Sequence, residues 1–498
     1  MNVNPITRLD YPDLDVIRVE DTYYMVSTTM HFMPGCEILQ SFDLVHWEHA
    51  TYVYETLDHT DAQQLKSGQN IYGQGMWAAS LRYHEGRFCI CFVANDTRKT
   101  YLYTSEKIDG PWKKQLIEGF YHDGSLLFDE DGRNYIVYGN DEIWITELNE
   151  DLTAPKKDGL HRLLVSDHKN PELGYEGSHI QKINGYYYIF LVHSLRDRWM
   201  RTEACFYSDS LEGEFTGGDV LCDDRGYCGQ GVAQGGIVDT PDGKWYAMLF
   251  QDFGAVGRIP ILLPVTWKDH FPFFGQNGHV PEEIEVHSTR PGYIYQPLVG
   301  SDDFCNGLLP RWQFNHDPDP RYYHLDALQG TYTITTREVC TELTQAVNTL
   351  TQRMSYPSCA AEVTVDASAL KEGDVAGLCA LQSCYAAVGI TKHHGKYEVL
   401  MLDKKEDGIL DMTEGTVVES HQMDFRLEAD FCNMKDEARC YYRVNKGDWL
   451  PIGTVHKLYF KLDHFTGCRF GLFCYAAEET GGSACFRDFK YYDVDEIS

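Results

Sequence analysis

The stretch His179-Ile180-Gln181-Lys182-Ile183-Asn184-Gly185-Tyr186-Tyr187-Tyr188-Ile189 decides the fold class. It holds two short apolar segments joined by Asn-Gly, which is among the strongest hairpin signals in a sequence. The same unit, a short apolar strand, a tight turn and an aromatic strand, occurs four more times before roughly residue 270. These copies lie at residues 15–26, 80–90, 125–137 and 236–247.

A second, weaker hairpin follows each of these units. Its first strand is apolar, and it often ends at a Trp or Phe, as at Trp47, Trp112 and Phe215. Four strands per unit, repeated five times at spacings of roughly 45 to 65 residues, predict a five-bladed β-propeller. A stack of sandwiches would also use paired hairpins, but five similar units favour radial closure.

The remainder of the chain predicts a second all-β domain. Residues 281–297 contain three prolines and no repeat, which is typical of a linker. Short alternating strands resume after Ser301 without the five-fold repeat and predict a β-sandwich of the jelly-roll, concanavalin-like type. The predicted domains are therefore a catalytic propeller at 1–295 and a sandwich at 301–498.

Composition restricts the class of partner and the compartment. The 498 residues include 43 Lys+Arg and 75 Asp+Glu, a net charge of −32, which argues against nucleic acid and anionic membranes. No apolar run is long enough for a transmembrane helix, and no signal peptide is visible at the start of the sequence. Sixteen scattered cysteines then predict reduced core thiols and a cytoplasmic protein.

The turn glycines provide a common register for the five units. Counting nine residues back from each turn gives one position just before the first strand of each blade. Equivalent positions of a propeller lie on a ring around its axis, so these side chains should converge on one mouth of the central channel. The turns differ in length by about one residue, and the register carries that uncertainty. The positions are Asp13, Trp77, Asp123, Glu176 and Gln234.

Three acids on one small ring predict chemistry. Like charges raise one another's pKa values, so such a cluster usually binds a metal or performs acid–base catalysis. Hydrolysis of a glycosidic bond needs one protonated carboxyl, one carboxylate to activate water, and benefits from a third acid that tunes the first. Each acid alone is typical of a turn, and Trp77 alone is typical of a core. A structural or binding cluster therefore remains the alternative at this point.

At these residues the sequence resembles glycoside hydrolase family 43, whose members are five-bladed propellers, often with a C-terminal sandwich. The resemblance covers nearly the whole chain. Its motifs are Tyr11-Pro12-Asp13-Leu14, where the family normally has Asp-Pro in place of Asp13-Leu14, Gly75-Met76-Trp77-Ala78, His122-Asp123-Gly124-Ser125, Tyr175-Glu176-Gly177-Ser178 and Gly257-Arg258. Each motif alone is weak, but together they follow the order of the blades.

The resemblance implies a role for each of these residues. Asp13 would be the general base, Glu176 the general acid and Asp123 the residue that tunes and orients that acid. The mechanism would be inversion, with the carboxyls roughly 6.5–9.5 Å apart. The implied substrate-binding residues are Trp77, Arg258, Gln234 and the loop residues Met30, His31 and Phe32. No cofactor would be required, and no metal ligand is assigned. Gln234 stands where many members have a His near a central calcium, so a structural calcium is an open alternative.

The expected activity is that of an exo-acting β-xylosidase on xylo- or arabino-oligosaccharides, in the context of xylan degradation. An α-L-arabinofuranosidase is the first alternative, because the two pentoses present similar hydroxyls around the cleaved bond. A non-catalytic carbohydrate-binding propeller would not need three carboxylates. A phosphorylase would want several cations around a phosphate, and the motifs offer only Arg258. The sequence does not predict the oligomeric state.

Overall fold

The computed structural model describes residues 3–413 and 415–493, and its regular elements are β-strands and four short 3₁₀ turns. Those turns are Lys66–Gly68, Gly254–Val256, Leu343–Gln345 and Cys432–Met434. Among the described residues, no helix has the length and apolar character that a membrane span would need.

Five four-stranded antiparallel sheets form the propeller. Blade one is β1 (Asp15–Val19), β2 (Thr22–Ser27), β4 (Gly35–Ser41) and β5 (Glu48–Tyr54), with β3 (Phe32–Met33) in the loop after β2. Blade two is β6 (Met76–His84), β7 (Arg87–Ala94), β8 (Lys99–Ser105) and β9 (Lys113–Ile117). Blade three is β10 (Ser125–Phe128), β11 (Asn134–Asn140), β12 (Glu142–Leu148) and β13 (His161–Ser166). Blade four is β14 (Glu176–Ile183), β15 (Tyr186–Ser194), β16 (Arg201–Ser208) and β17 (Thr216–Leu221). Blade five is β18 (Ala233–Asp239), β19 (Trp245–Asp252), β20 (Arg258–Lys268) and β21 (Phe271–Phe274).

Two larger sheets form the sandwich. One has the order β3-β22-β25-β35-β27-β28-β29-β30, with β31 also paired to β29, and the other has the order β23-β24-β36-β26-β32-β33-β34. The bounds are β22 (Gln313–Asn315), β23 (Tyr323–Asp326), β24 (Thr331–Thr335), β25 (Leu350–Arg353), β26 (Ser358–Asp366), β27 (Val375–Leu381), β28 (Ala386–His393), β29 (Lys396–Lys404), β30 (Leu410–Met412), β31 (Thr416–Val418), β32 (Gln422–Asp430), β33 (Glu437–Val444), β34 (Leu450–Lys457), β35 (Arg469–Tyr475) and β36 (Ser483–Asp493). The all-β prediction, a propeller followed by a sandwich, is confirmed.

The turn chemistry explains why the hairpins form. Ile183 pairs with Tyr186 across Asn184-Gly185, whose φ angles are 50° and 84°. Two successive positive φ values define a type I′ turn, which matches the twist of the flanking strands and favours Asn-Gly.

A belt of hydrogen bonds ties the inner strands of blades one, two and three to the next blade. The backbone N–H of Leu81 donates to Asp15 Oδ2 at 2.8 Å. The N–H of Leu126 donates to Ser80 Oγ, and that of Ile180 to Ser125 Oγ, both at 3.0 Å. Polar side chains at the starts of the inner strands therefore satisfy backbone donors that blade packing would otherwise bury unpaired.

Arg82 carries the positive charge inside this belt. Its guanidinium donates to Asp15 Oδ2 at 2.6 Å, to Ser125 Oγ at 2.7 Å and to carbonyl oxygens of Leu81, Leu126 and Ile180. One side chain thus joins blades one to four. The Asp15 carboxylate is buried, and its pKa falls to about 2 because Arg82 and His179 outweigh the effect of burial.

The sandwich is joined to the propeller through a continuous sheet and a buried ion pair. Strand β3 pairs with β22, with Met33 opposite Phe314. Arg353 lies 2.8 Å from Glu37 and stacks on Tyr11 at 4.1 Å. A buried ion pair fixes geometry strongly because removing one partner leaves the other charge buried and unpaired.

Substituting Arg82→Met should destabilise the protein by about 3–5 kcal/mol, because it leaves the buried Asp15 carboxylate without its guanidinium partner. Arg18→Met is the matched control, since Arg18 bridges blades one and five through the more exposed Asp239 and should cost about 1 kcal/mol or less. Denaturant unfolding of the two variants measures this difference. Equal losses would contradict the central role of Arg82.

Candidate active site

Three carboxylates meet at the mouth of the channel where the inner strands begin. Asp123 Oδ2 accepts a hydrogen bond at 3.0 Å from the N–H of Gly177, the residue after Glu176. His122 Nε2 lies 3.6 Å from Asp123 Oδ2 and 3.6 Å from Glu176 Oε2. Asp123 also lies within the field of Asp13, whose charge raises its pKa. The structure therefore brings the three acids into one electrostatic cluster.

β-Bulges lie at the start of three inner strands, β6, β14 and β18, and in the first two the ring residue is one position farther from the belt of hydrogen bonds. Counting two residues back from Asp15, Ser80 and Ser125, the belt positions, gives Asp13, Ala78 and Asp123. Trp77 is therefore three residues before Ser80, one more than the spacing in blades one and three. Glu176 is likewise three residues before the residue that precedes Ile180 in blade four. Both β6 and β14 contain a bulge at this point. A bulge inserts an extra residue and re-aims the side chains beside it.

Two hydrogen bonds hold the Asp13 carboxylate. Arg258 Nη1 donates to Oδ1 at 3.0 Å, and Thr28 Oγ1 donates to Oδ2 at 2.8 Å. Asp13 is 8% exposed and Arg258 is 2% exposed. Little water competes with the ion pair, so both side chains are fixed in place.

Both Asp123 and His122 have raised pKa values. Burial raises the pKa of Asp123 to about 6; the charges of Glu176 and Asp13 add to this, while His122 and the Gly177 N–H oppose it. Asp123 in turn raises the pKa of His122 to about 9, against the effect of burial and with help from Glu176. His122 is therefore an imidazolium at neutral pH, facing two acids.

Glu176 is the most accessible of the three acids. Its side chain is 21% exposed, compared with 7% for Asp123 and 9% for Asp13. Asn140 Nδ2 donates to Glu176 Oε2 at 2.6 Å. The arrangement leaves Glu176 able to reach a bound ligand while its orientation is set by neighbours.

A loop of the sandwich completes the site. The Phe465 ring lies 4.4 Å from the Arg258 guanidinium and 5.7 Å from the Trp77 ring. The Asp10 carboxylate clamps this loop, because it accepts from the N–H of Arg258 and from the N–H of Gly467, each at 2.7 Å. Trp77, Arg258 and Phe465 thus form one wall beside the acids.

Several polar groups in this wall and on the neighbouring His122 have no hydrogen-bond partner in the protein. They are Trp77 Nε1, His122 Nε2 and Arg258 Nε. Buried donors without partners are costly, and a ligand with many hydroxyls would satisfy them. The site therefore favours a neutral, hydroxyl-rich ligand held beside an acid and a base.

Gln234 supports the backbone of the acid. A Cβ added to Gly177 would lie 2.8 Å from Gln234 Cγ, and Gly177 has a φ of 66°. Only glycine fits between the Gln234 side chain and Glu176. The Gln234 N–H donates to Glu203 Oε2 at 2.7 Å, which fixes this contact from behind.

Met30, His31 and Phe32 are buried: Met30 pairs with Met76 of blade two, and the other two lie in the contact between the domains. The His31 ring lies 4.8 Å from His316 and 5.0 Å from His464, both in the sandwich. Phe32 packs under the Arg469 guanidinium at 3.5 Å. Within the described residues, no hydrogen bond or ring contact joins the three to the acids. Their contact with substrate stays a prediction, and the structure favours a supporting position.

Sequence reasoning missed four residues of the site: Thr28, Asn140, Arg201 and Phe465. Thr28 and Asn140 lie at the ends of the second strands, β2 and β11, which return to the same mouth. Extending the register to those strands would have found both. Phe465 comes from a distant loop, and its one local signal is an aromatic residue of φ 58° just before Thr466-Gly467.

The polar groups inside the belt of hydrogen bonds are already paired with one another. Asp15, the buried acid on the axis, already binds Arg82, His179 and the Leu81 N–H. A cation beside the guanidinium would be repelled at close range. Among the described residues, one metal-sized group of ligands occurs, namely His122, Asp123 and Glu176, whose donor atoms lie within 4.8 Å.

The charge on His122 can be tested directly by NMR. Replacing Asp123 with Asn removes the main cause of the raised pKa, so the His122 titration midpoint should fall from about 9 to below 8. Titration of histidine-labelled protein measures it, with His122→Gln assigning the resonance. An unchanged His122 midpoint would contradict the proposed coupling.

Comparison with known proteins agrees with this geometry. The chain is 26% identical over 99% of its length, and 89% of the relative, to a β-xylosidase of Formosa agariphila. It is 24% identical over 82% of its length, and 79% of the relative, to a non-reducing end α-L-arabinofuranosidase of Bacteroides ovatus. A solved structure described as a bifunctional GH43-CE protein of Bacteroides eggerthii matches with a TM-score of 0.92 and 42% identity, over all of this chain and 64% of that one.

Two family models divide the chain between them. Residues 301–492 match the β-xylosidase C-terminal concanavalin A-like domain. Residues 3–272 match the model of glycosyl hydrolases family 43, so the chain belongs to that family.

Proposed function

We propose that this protein is an exo-acting, inverting glycoside hydrolase that releases xylose, and to some degree arabinose, from xylo- or arabino-oligosaccharides. The observation that carries the proposal is the cluster of Asp13, Asp123 and Glu176 at one mouth of a family 43 propeller. The relatives named β-xylosidase and arabinofuranosidase support the sugar class. The unpartnered donors of the wall suit a neutral sugar.

The chemistry follows from the position of each acid. Glu176 gives its proton to the glycosidic oxygen as the bond from that oxygen to the anomeric carbon breaks. Asp13 takes a proton from the water that attacks the anomeric carbon from the opposite face, which inverts its configuration. Arg258 and Thr28 orient the Asp13 carboxylate through one hydrogen bond to each oxygen. Asp123 orients the acid by accepting a hydrogen bond from the N–H of Gly177, the residue after Glu176.

The sandwich loop supports exo action. Phe465, clamped through Gly467 and Asp10, closes one side of the site next to Trp77 and Arg258. A closed wall admits one terminal sugar and stops a chain from passing through. An α-L-arabinofuranosidase as the main activity is the second candidate, which the arabinofuranosidase relative supports.

Glu176→Gln should lower kcat/KM on β-1,4-xylobiose by about a hundred-fold or more, because the unactivated leaving group needs the proton. An aryl β-xyloside with a good leaving group should be affected less. Parallel rates on an aryl α-L-arabinofuranoside give the sugar preference. Proton NMR of the first product should show α-xylose, as inversion requires.

Asn140→Asp is a useful companion variant, since it keeps the shape of the Asn140 side chain but places a like charge beside the Glu176 carboxylate. Wild type that cleaves neither pentoside would refute the proposed activity. Retention of configuration would refute the assignment of Asp13 as general base.

We further propose that the enzyme needs no calcium, because the guanidinium of Arg82 supplies the cation of the channel. Prolonged treatment with EDTA should change neither the melting temperature nor kcat/KM. Added calcium should not restore either quantity in Arg82→Met. A fall in melting temperature with EDTA, reversed by calcium alone, would contradict this.

We propose a reducing, cytoplasmic location for the protein. All sixteen cysteines lie in the described residues and all are free, and most are buried. Unpaired buried thiols are typical of compartments that keep cysteines reduced. Cell fractionation tests the location.

A further inference from the structure

An exposed aromatic ring lies at the same end of blade four as the acid, and the mechanism above does not use it. Trp199 is 43% exposed and belongs to the loop between β15 and β16, at residues 195–200. This loop follows the strand that pairs with β14, the strand that begins at Glu176. Trp199 therefore lies at the same end of blade four as the acid.

Arg201 connects this ring to the reacting groups. Its guanidinium lies 5.1 Å from the Trp199 ring and is paired with Asp252. The pKa of Arg201 is lowered to about 10 by burial and by Arg258, while Glu176 and then Asp13 act in the opposite direction. Arg201 and Arg258 lie over the same ring, Phe250, at 5.4 Å and 5.5 Å, so Arg201 borders the site beside Arg258. The Nε of Arg201 has no hydrogen-bond partner.

The position relative to the two acids identifies the sugar concerned. In an inverting hydrolase the acid faces the glycosidic oxygen, so the leaving sugar lies on the side of the acid. Asp13, Arg258 and Phe465 enclose the other side. We infer that Trp199 and Arg201 form the subsite for the leaving sugar, a neutral pentopyranose that stacks on the open face of the indole and accepts a hydrogen bond from Arg201 Nε.

Stacking on an indole has a characteristic energetic signature. The ring offers a large, rigid apolar surface on which a sugar ring can lie. The contact exists only when the leaving group is a sugar. Its loss should therefore affect the cleavage of a disaccharide and spare the cleavage of a glycosyl fluoride, whose leaving group has no ring.

The test compares kcat/KM on β-1,4-xylobiose and β-xylosyl fluoride for wild type, Trp199→Ala and Trp199→Phe. Trp199→Ala should lose about ten-fold on xylobiose and less than two-fold on the fluoride. Trp199→Phe should retain most of the xylobiose rate. Tyr83→Ala is the matched control, because Tyr83 is 44% exposed at the opposite mouth, and should change neither rate.

A parallel fall on both substrates, or an unchanged xylobiose rate, would overturn the subsite. The inference rests on the proposed function, and the fluoride separates the two failures. Wild type that cleaves the fluoride and xylobiose while Trp199→Ala matches it on both leaves the function intact and removes the subsite. Wild type that cleaves neither removes both.

A binding measurement in the Glu176→Gln background gives a second, independent readout. Trp199→Ala should weaken xylobiose binding by about ten-fold and leave xylose binding unchanged, since xylose alone fills the enclosed side of the site. Equal weakening for both sugars would contradict the assignment.

Discussion

The geometry of this protein depends on one buried cation on the axis of the propeller. The guanidinium of Arg82 joins acceptors from four blades, and the Asp15 carboxylate balances its charge. The residues it joins in blades one, three and four lie two to four positions after Asp13, Asp123 and Glu176. Holding these residues in place also holds the three acids that precede them in the chain. A cluster of like charges would otherwise push the strand starts apart, so the stability of the axis and the chemistry at the mouth are coupled.

The second constraint comes from outside the propeller. Asp10 uses both carboxylate oxygens to hold the N–H of Arg258 and the N–H of Gly467. The residue that orients the base and the loop that closes the site therefore share one anchor. Gly257 and Gly467 must both be glycine there, because a Cβ on either would lie within 2.7 Å of an Asp10 atom. The sandwich is in this sense a component of the active site.

Much of this could be predicted from the sequence because the decisive signals are local. Asn184-Gly185 and its counterparts mark hairpins by turn geometry alone, and five copies imply a ring. The acids were placed to within one residue. The remaining shift could not be predicted, since a β-bulge is a property of strand pairing and leaves no mark at Trp77 or Glu176.

Long-range docking accounts for the other differences. Phe465 reaches the site only because the sandwich packs on the propeller, and nothing near it in sequence indicates a sugar site. His31 stands in a loop next to a motif, which suggested substrate contact. Strand β3 instead carries that loop into the sandwich sheet, where three buried imidazoles meet. The tertiary contact decides where the His31 side chain lies, and its contact with substrate stays a prediction.

The shared sheet has a consequence for how such proteins diversify. Strand β3 lies within the propeller part of the sequence but is hydrogen-bonded to the sandwich sheet. The sequences of the two domains must therefore remain compatible with each other at this strand. Recombination at residues 273–300, between the two family matches, would join a propeller to a sandwich whose edge strand expects a different partner. New specificities should therefore arise by drift within the pair, and chimeras should work only when the β2–β4 loop is exchanged together with the sandwich.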